Sequence, residues 1–206
     1  MMELPENTRT LALRARRATA AAWFFFAIQV LAIPMMAMIA LDLAQPQGLI
    51  ELFDSVTFLS LLLSIVLVGM WIHKAHANLF AAGLSGLRYS PGWSVGWFFV
   101  PLLNLFKPYD AMRELWHASF GAHERFDSPA PSHLQLWWGL WIGGNIASNI
   151  AQRMQESTRS DTVMTGTILA GISALLMAGA AYILIGIMRD VTAAQSRGLA
   201  ISEVFA

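Results

Sequence analysis

"SPGWSVGWFFVPLLNLFKPYD", Ser90 to Asp110, decides how the rest of the chain is read. It is apolar and aromatic enough for a lipid bilayer. Yet only about fifteen residues separate Pro91 from Lys107, and a helix of that length reaches roughly 22 Å into a core of roughly 30 Å. Pro101 and Asn104 interrupt it as well. The chain either crosses a membrane here or enters and turns back, and every later segment takes its direction from that choice.

The surrounding composition makes the membrane the relevant solvent. Of 206 residues, 56% are hydrophobic and 13% charged, about half the charge of an ordinary soluble domain, roughly 25%. Thirteen basic and thirteen acidic residues cancel, so no overall field attracts nucleic acid. There is no cysteine, which excludes disulfides, thiolate metal sites and a cysteine nucleophile. The N-terminal segment 1–19 is basic, and an apolar run follows from Ala20 to Leu41. That run exceeds the roughly 7–15 residues of a signal-peptide core and suits a retained spanning helix. The sequence predicts one integral membrane domain over 1–206.

Four runs are expected to span: 20–41, with a kink at Pro34, 55–80, 134–152 and 162–188. The positive-inside rule then bears on the opening stretch. If it turns back, Arg9, Arg14, Arg16, Arg17, Lys74, Arg88, Lys107, Arg113, Arg125, Arg189 and Arg197 are cytoplasmic, and only Arg153 and Arg159 are outside. If it crosses, the split falls from eleven against two to eight against five. A re-entrant or interfacial segment over 90–120 is therefore expected, with both termini cytoplasmic. Pro108 suits the first position of an amphipathic helix. Tyr109, Met112, Trp116 and Ser119 are expected on one face of it, and Asp110, Arg113, Glu114 and His117 on the other. Irregular backbone at membrane depth needs protein or water to satisfy it, so neighbouring helices should back Gly92, Gly96 and Pro101. Asn104 is expected to bond a backbone group freed by Pro101.

The region "HANLFAAGLSGLRYSPGWSVGWFFVPLLNLFKPYDAMRELWHAS" resembles the signature of a bacterial membrane family known as domain of unknown function 4328. The matching features fall on Asn78, Ser90, Pro91, Trp93, Gly96, Trp97, Pro101, Asn104, Pro108, Met112, Glu114, Trp116 and Ser119, and the closing "RDVTAAQ", Arg189 to Gln195, is also similar. The resemblance implies a multi-pass bacterial membrane protein and assigns no activity.

Five histidines, His73, His76, His117, His123 and His133, are expected at the cytoplasmic side. His73 and His76, three apart, should share a helix face. Zinc needs at least a third protein ligand, which His117 or Glu114 supplies only if the amphipathic helix packs nearby. Asp110, Arg113, Glu114 and His117 resemble an acid–base cluster, but helix surfaces carry such pairs for their own stability. No nucleophile motif, phosphate loop or H-E-x-x-H appears, so no catalytic residue is assigned.

In the third expected span, Asn145, Ser148, Asn149 and Gln152 form a polar stripe, and Gly139 and Gly143 lie four apart. The fourth offers a small-residue ridge at Gly166, Ala170, Ala174 and Ala178. Helix packing with interhelical hydrogen bonds is the first reading of the pair. A polar pathway is the second, although no charged residue sits mid-span.

The sequence thus predicts an all-α bundle in a bacterial inner membrane: four spans, a re-entrant or interfacial segment and an amphipathic helix. The expected function is a non-catalytic accessory, scaffold or sensing subunit that binds lipid, a membrane protein or a second copy. A cytoplasmic-face recess should form from His76, Asn78, Trp93, Trp97, Pro101, Asn104, Glu114 and Trp116. No cofactor is expected. A small channel or carrier lined by the polar stripe is the alternative, followed by a membrane enzyme or haem or metal protein using the histidines.

Overall fold

A computed structural model describes residues 3–41, 43, 47–121 and 131–204. His123 and Arg125 lie outside them. All the regular structure among the described residues is helical. Four helices are long: α1 (Glu3–Ala40), α2 (Gln47–Ala81), α5 (Ser132–Gln155) and α6 (Ser160–Val204). Two shorter ones, α3 (Pro91–Gly96) and α4 (Lys107–Ser119), fall inside the opening stretch and just after it. Each expected span falls on one long helix, the first ending one residue past α1, and the helices otherwise outrun the spans. The basic segment before Ala20 is already helical, and Pro34 sits inside α1 without ending it. Ala, Leu and Arg, which fill that segment, are good helix formers in water or lipid. An apolar run measures membrane thickness, whereas propensity measures helix length.

Three of these helices, α1, α2 and α6, are long and apolar enough to cross a membrane. In α5, His133, Asn145, Asn149, Gln152 and Arg153 dilute the apolar residues.

The chain divides into two compact units, one of Met1–Ala20, Ile65–Gln135 and Ile185–Ala206, the other of Ala21–Ser64 and Leu136–Leu184. In the second, Phe25, Met177 and Ala181 form a core against which Phe26, Leu61 and Trp141 pack. The Trp23, Phe26 and Tyr182 rings meet at 5.3–6.2 Å between centroids. Gly171 lies beside Met36, so α1 and α6 run antiparallel there. The Ser64 hydroxyl donates to the Ala21 carbonyl at 3.2 Å and ties α2 to α1.

Helices α5 and α6 also pair antiparallel. Gly179 lies against Leu140, Gly144 against Met177, and Gly166 against Met154 and the Ala151 carbonyl. The Ser173 hydroxyl donates to the Gly144 carbonyl at 2.9 Å. The small-residue packing was expected, but its register is different. The close approach on α5 is at Gly144, whereas Gly139 has nothing near where a Cβ would stand.

In the first unit, α2 and α6 run parallel. The Trp71 indole donates to the Thr192 hydroxyl at 3.0 Å, and further along the Gln195 amide donates to the Ala75 carbonyl at 3.1 Å. The core is Leu11, Ala15 and Ala18 of α1, Trp71, Ile72, Ala75 and Leu79 of α2, Ala111, Met112, Leu115 and Ala118 of α4, and Ile187, Met188 and Val191 of α6. Helix α2 stops at Gly83, whose φ of +74° suits a residue without a Cβ. There the Gly83 and Leu84 N–H groups return to the Phe80 and Leu79 carbonyls, closing the last turn.

Candidate functional site

The opening stretch folds as two short arms joined at a tip. Ser90 caps α3, its hydroxyl accepting from the Trp93 N–H at 3.4 Å, and Pro91 occupies the first turn, where an N–H is not needed. The buried Ser94 hydroxyl donates to the Pro91 carbonyl at 2.8 Å. Val95 packs on Gly69, which seats α3 against α2. A 3-10 turn over Trp97–Phe99 follows α3, and a second over Leu103–Leu105 leads into α4. The two turns touch each other, and α3 touches α4, so the chain doubles back. The tip is closed by backbone bonds: Leu103 N–H to the Pro101 carbonyl at 2.8 Å and Asn104 N–H to the Val100 carbonyl at 2.9 Å. The Asn104 main-chain N–H thus satisfies the Val100 carbonyl beside Pro101.

Helix α4 starts at Lys107 with Pro108 in its first turn, as expected. Its faces differ from the expectation. Glu114 and His117 are buried together with Pro108, Ala111, Met112, Leu115 and Ala118, while Tyr109, Asp110, Arg113, Trp116 and Ser119 are half-buried. Glu114, only 3% exposed, accepts the Arg88 N–H at 2.7 Å on Oε2 and the Tyr89 N–H at 3.1 Å on Oε1. One carboxylate thus fastens the loop before α3 to α4. Burial pushes its pKa above the ordinary 4.5, and the two N–H groups and the Arg88 charge oppose that shift. Burial likewise pushes the Tyr89 phenol up, with Asp110 adding to it and Lys107 opposing. The Lys107 ammonium stands 5.8 Å from the Tyr89 ring and 5.9 Å from that of Trp97.

A second buried junction joins three elements. The Gln195 amide nitrogen donates to the Ala75 carbonyl and, at 3.0 Å, to the Ser119 hydroxyl. The Asn78 amide donates to Gln195 Oε1 at 3.4 Å. Helices α2, α4 and α6 are held at one point. His76 is fully buried, and its Nδ1 lies 3.0 Å from the Ile72 carbonyl one turn back.

The eight expected recess residues consequently separate. His76, Asn78 and Glu114 are interior, Trp97, Asn104 and Trp116 half-buried, and Trp93 and Pro101 exposed. Trp93 and Trp97 pair at 4.7 Å, and Trp116 stacks on Phe120 at 4.5 Å and meets His133 edge-on. What the stretch does present is an apolar tip: Phe99 is 69% exposed, Leu102 77% and Phe106 65%. Leu102 also holds a φ of +65°, a conformation that disfavours side chains with a Cβ. No periodic signal marks Leu102, since positive φ there follows from the two arms closing on each other. Gln195 lies inside the quoted "RDVTAAQ", but its partners are remote in sequence.

Three apart on α2, His73 is exposed and His76 interior. Among the described residues no group of three or more His, Asp or Glu could hold a metal. The polar stripe is occupied locally. Asn145 donates to the Trp141 carbonyl at 2.7 Å and Asn149 to the Asn145 carbonyl at 2.8 Å, both within α5. Asn149 and Gln152 are exposed and Ser148 half-buried. The interhelical bond expected from the stripe comes instead from Ser173 of α6.

No curated protein and no solved structure matches the chain. Asn78, Ser90, Pro91, Glu114 and Ser119, which take part in the capped turn and the two buried junctions, fall within the segment 40–193, with Gln195 two residues beyond it; that segment matches a family described as a domain of unknown function, DUF4328, and the chain belongs to that family.

Proposed function

We propose that the protein is a non-catalytic, four-span protein of a bacterial inner membrane with both termini cytoplasmic. It acts as an accessory, scaffold or sensing subunit, and its 90–106 segment is re-entrant or interfacial, docking on lipid or a membrane partner through its tip. The carrying observation is the exposure of Phe99, Leu102 and Phe106 on a base fixed by Glu114 and by the Asn78–Gln195–Ser119 junction. Each such side chain left in water forgoes about 1.5–3 kcal/mol. Three together on a held loop favour an apolar environment at that tip.

The alternatives draw less support. A polar pathway through α5 needs amides that face a cavity, whereas Asn145 and Asn149 spend theirs on their own helix. A haem or metal role for His73, His76 and His117 needs ligands that converge, and His73 is exposed while His76 and His117 are buried.

The cysteine-free chain permits a direct test. Leu102→Cys, labelled with a polarity-sensitive fluorophore and placed in vesicles, should emit as in an apolar medium. Quenching by brominated acyl chains assigns the tip to lipid. Apolar emission without such quenching assigns it to a protein surface. Water-like emission in native membranes would overturn the proposal.

A further inference from the structure

Away from that tip, in the first unit, α1 and α2 enclose a recess of about 250 Å³ lined by Thr10, Leu13, Arg14, Arg17, Leu67 and Met70. Two of the six are guanidinium groups three residues apart on one face of α1, and none is acidic. Arg14 is held in place: its Nη1 donates to the Met70 carbonyl of α2 at 3.1 Å. A guanidinium fixed by one of its five donors keeps a planar fork whose geometry matches phosphate oxygens. Lys74, one turn beyond Met70, donates to Asn7 and adds a third positive charge on this side of the helix pair. Leu13, Leu67 and Met70 supply the apolar remainder of the wall.

This pairing of charges with an apolar wall occurs at a definite place along α1. The apolar run begins at Ala20, just past Arg17, and Trp23 is the first aromatic ring in it. Basic residues next to a spanning run, followed by a tryptophan, mark headgroup depth. Basic pockets between spanning helices on the cytoplasmic side receive anionic headgroups. Stacked like charges on one helix face cost stability unless an anion offsets them.

We propose that this recess binds a phosphate group, with the Arg14 and Arg17 guanidinium groups as its hydrogen-bond donors and Leu13, Leu67 and Met70 against the adjoining apolar part. The apolar wall favours the phosphate of an anionic lipid over free phosphate. The site depends only on the reading of α1 and α2 as spanning helices and is independent of what the 90–106 tip contacts.

The test uses the full chain in a neutral detergent, with thermal midpoint as the reading. Phosphatidylglycerol, phosphatidylcholine and sodium phosphate are titrated separately at matched ionic strength. Phosphatidylglycerol should raise the midpoint, and Arg17→Gln should raise the dose required about tenfold or more, the loss expected for one charged hydrogen-bond donor. Arg17 is exposed, so this variant retains the fold, whereas Arg14→Gln also removes the tie to Met70. Arg9→Gln, which deletes the same charge outside the lining, should leave the dose within about twofold. An equal rise with sodium phosphate, abolished in Arg17→Gln, supports the site and assigns it to free phosphate. Equal action of phosphatidylcholine, equal weakening by Arg9→Gln, or no rise in any titration would overturn it.

Discussion

Glu114 shows how one residue in this chain carries a fold decision and a titration together. Its two oxygens hold the Arg88 and Tyr89 N–H groups, and losing a partner leaves each buried donor at a cost of about 1–3 kcal/mol. Glu114→Ala should therefore lower the thermal midpoint more than any substitution at the exposed Trp93. The pH dependence has an unusual sign for a carboxylate. Its folded pKa is raised above 4.5, so between 4.5 and that raised value the folded state binds more protons than the unfolded state. Stability contributed by this group is therefore lost as pH rises through that window and is restored as pH falls toward 4.5. Glu114→Gln, which cannot titrate, should show a flatter stability profile there when the two proteins are compared by thermal unfolding. Identical slopes would mean that the carboxylate is not desolvated.

At the scale of elements, the α5–α6 hairpin gives the sharpest structural prediction. A Cβ on Gly166 would lie 2.9 Å from Met154 Cβ and 3.0 Å from the Ala151 carbonyl, neither of which is the flexible end of a side chain. Gly166→Ala should destabilise by about 1–3 kcal/mol, the ordinary cost of overpacking. Gly139→Ala, with open space around it inside α5, should hold or raise the thermal midpoint, since Ala is better than Gly in a helix interior by about 0.5–1 kcal/mol. The reverse order would place the helix contact on the wrong face. The sequence alone points to Gly139 and Gly143 as the contact pair because four-residue spacing is a property of one helix, while register is a property of two. The same limit explains α4. Its pattern put Glu114 outside because a charged residue ordinarily faces water, and only the Arg88 and Tyr89 N–H groups, about 25 residues earlier, give it a reason to be buried. What composition and spacing could reach, they reached: the helical class, the positions of the long helices, the Pro108 start of α4 and the break at Pro101. The junction of Asn78 and Ser119 with Gln195 depended on contacts between distant segments. Asn78 and Ser119 belong to the segment that resembles the family's signature and Gln195 to the similar closing stretch, but no spacing rule joins them.

At the scale of the whole molecule, charge counting gives the same split for two different numbers of crossings. If α5 did not cross, Arg153 and Arg159 would be cytoplasmic and Arg189 and Arg197 outside, again eleven against two. Helix direction is more selective. In the first unit α2 and α6 run parallel through Trp71–Thr192 and Ala75–Gln195. If both cross, the chain between them must cross an odd number of times. One crossing by α5 meets that condition. None, or a second by the 90–106 stretch, would turn α6 against α2. The length of α5, 24 residues or about 36 Å, is sufficient for a roughly 30 Å core, and Asn145 and Asn149 donate within the helix itself. Single cysteines at Gln47, Ser128 and Gln155, probed on intact cells with a membrane-impermeant thiol reagent, test the proposed arrangement. Gln47 and Gln155 should label and Ser128 should not. An unlabelled Gln155 with Ser128 also unlabelled would take α5 out of the bilayer. Label at Ser128 with none at Gln155 would mean that the opening stretch crosses, and would require α2 and α6 to be antiparallel, against the hydrogen bonds that align them.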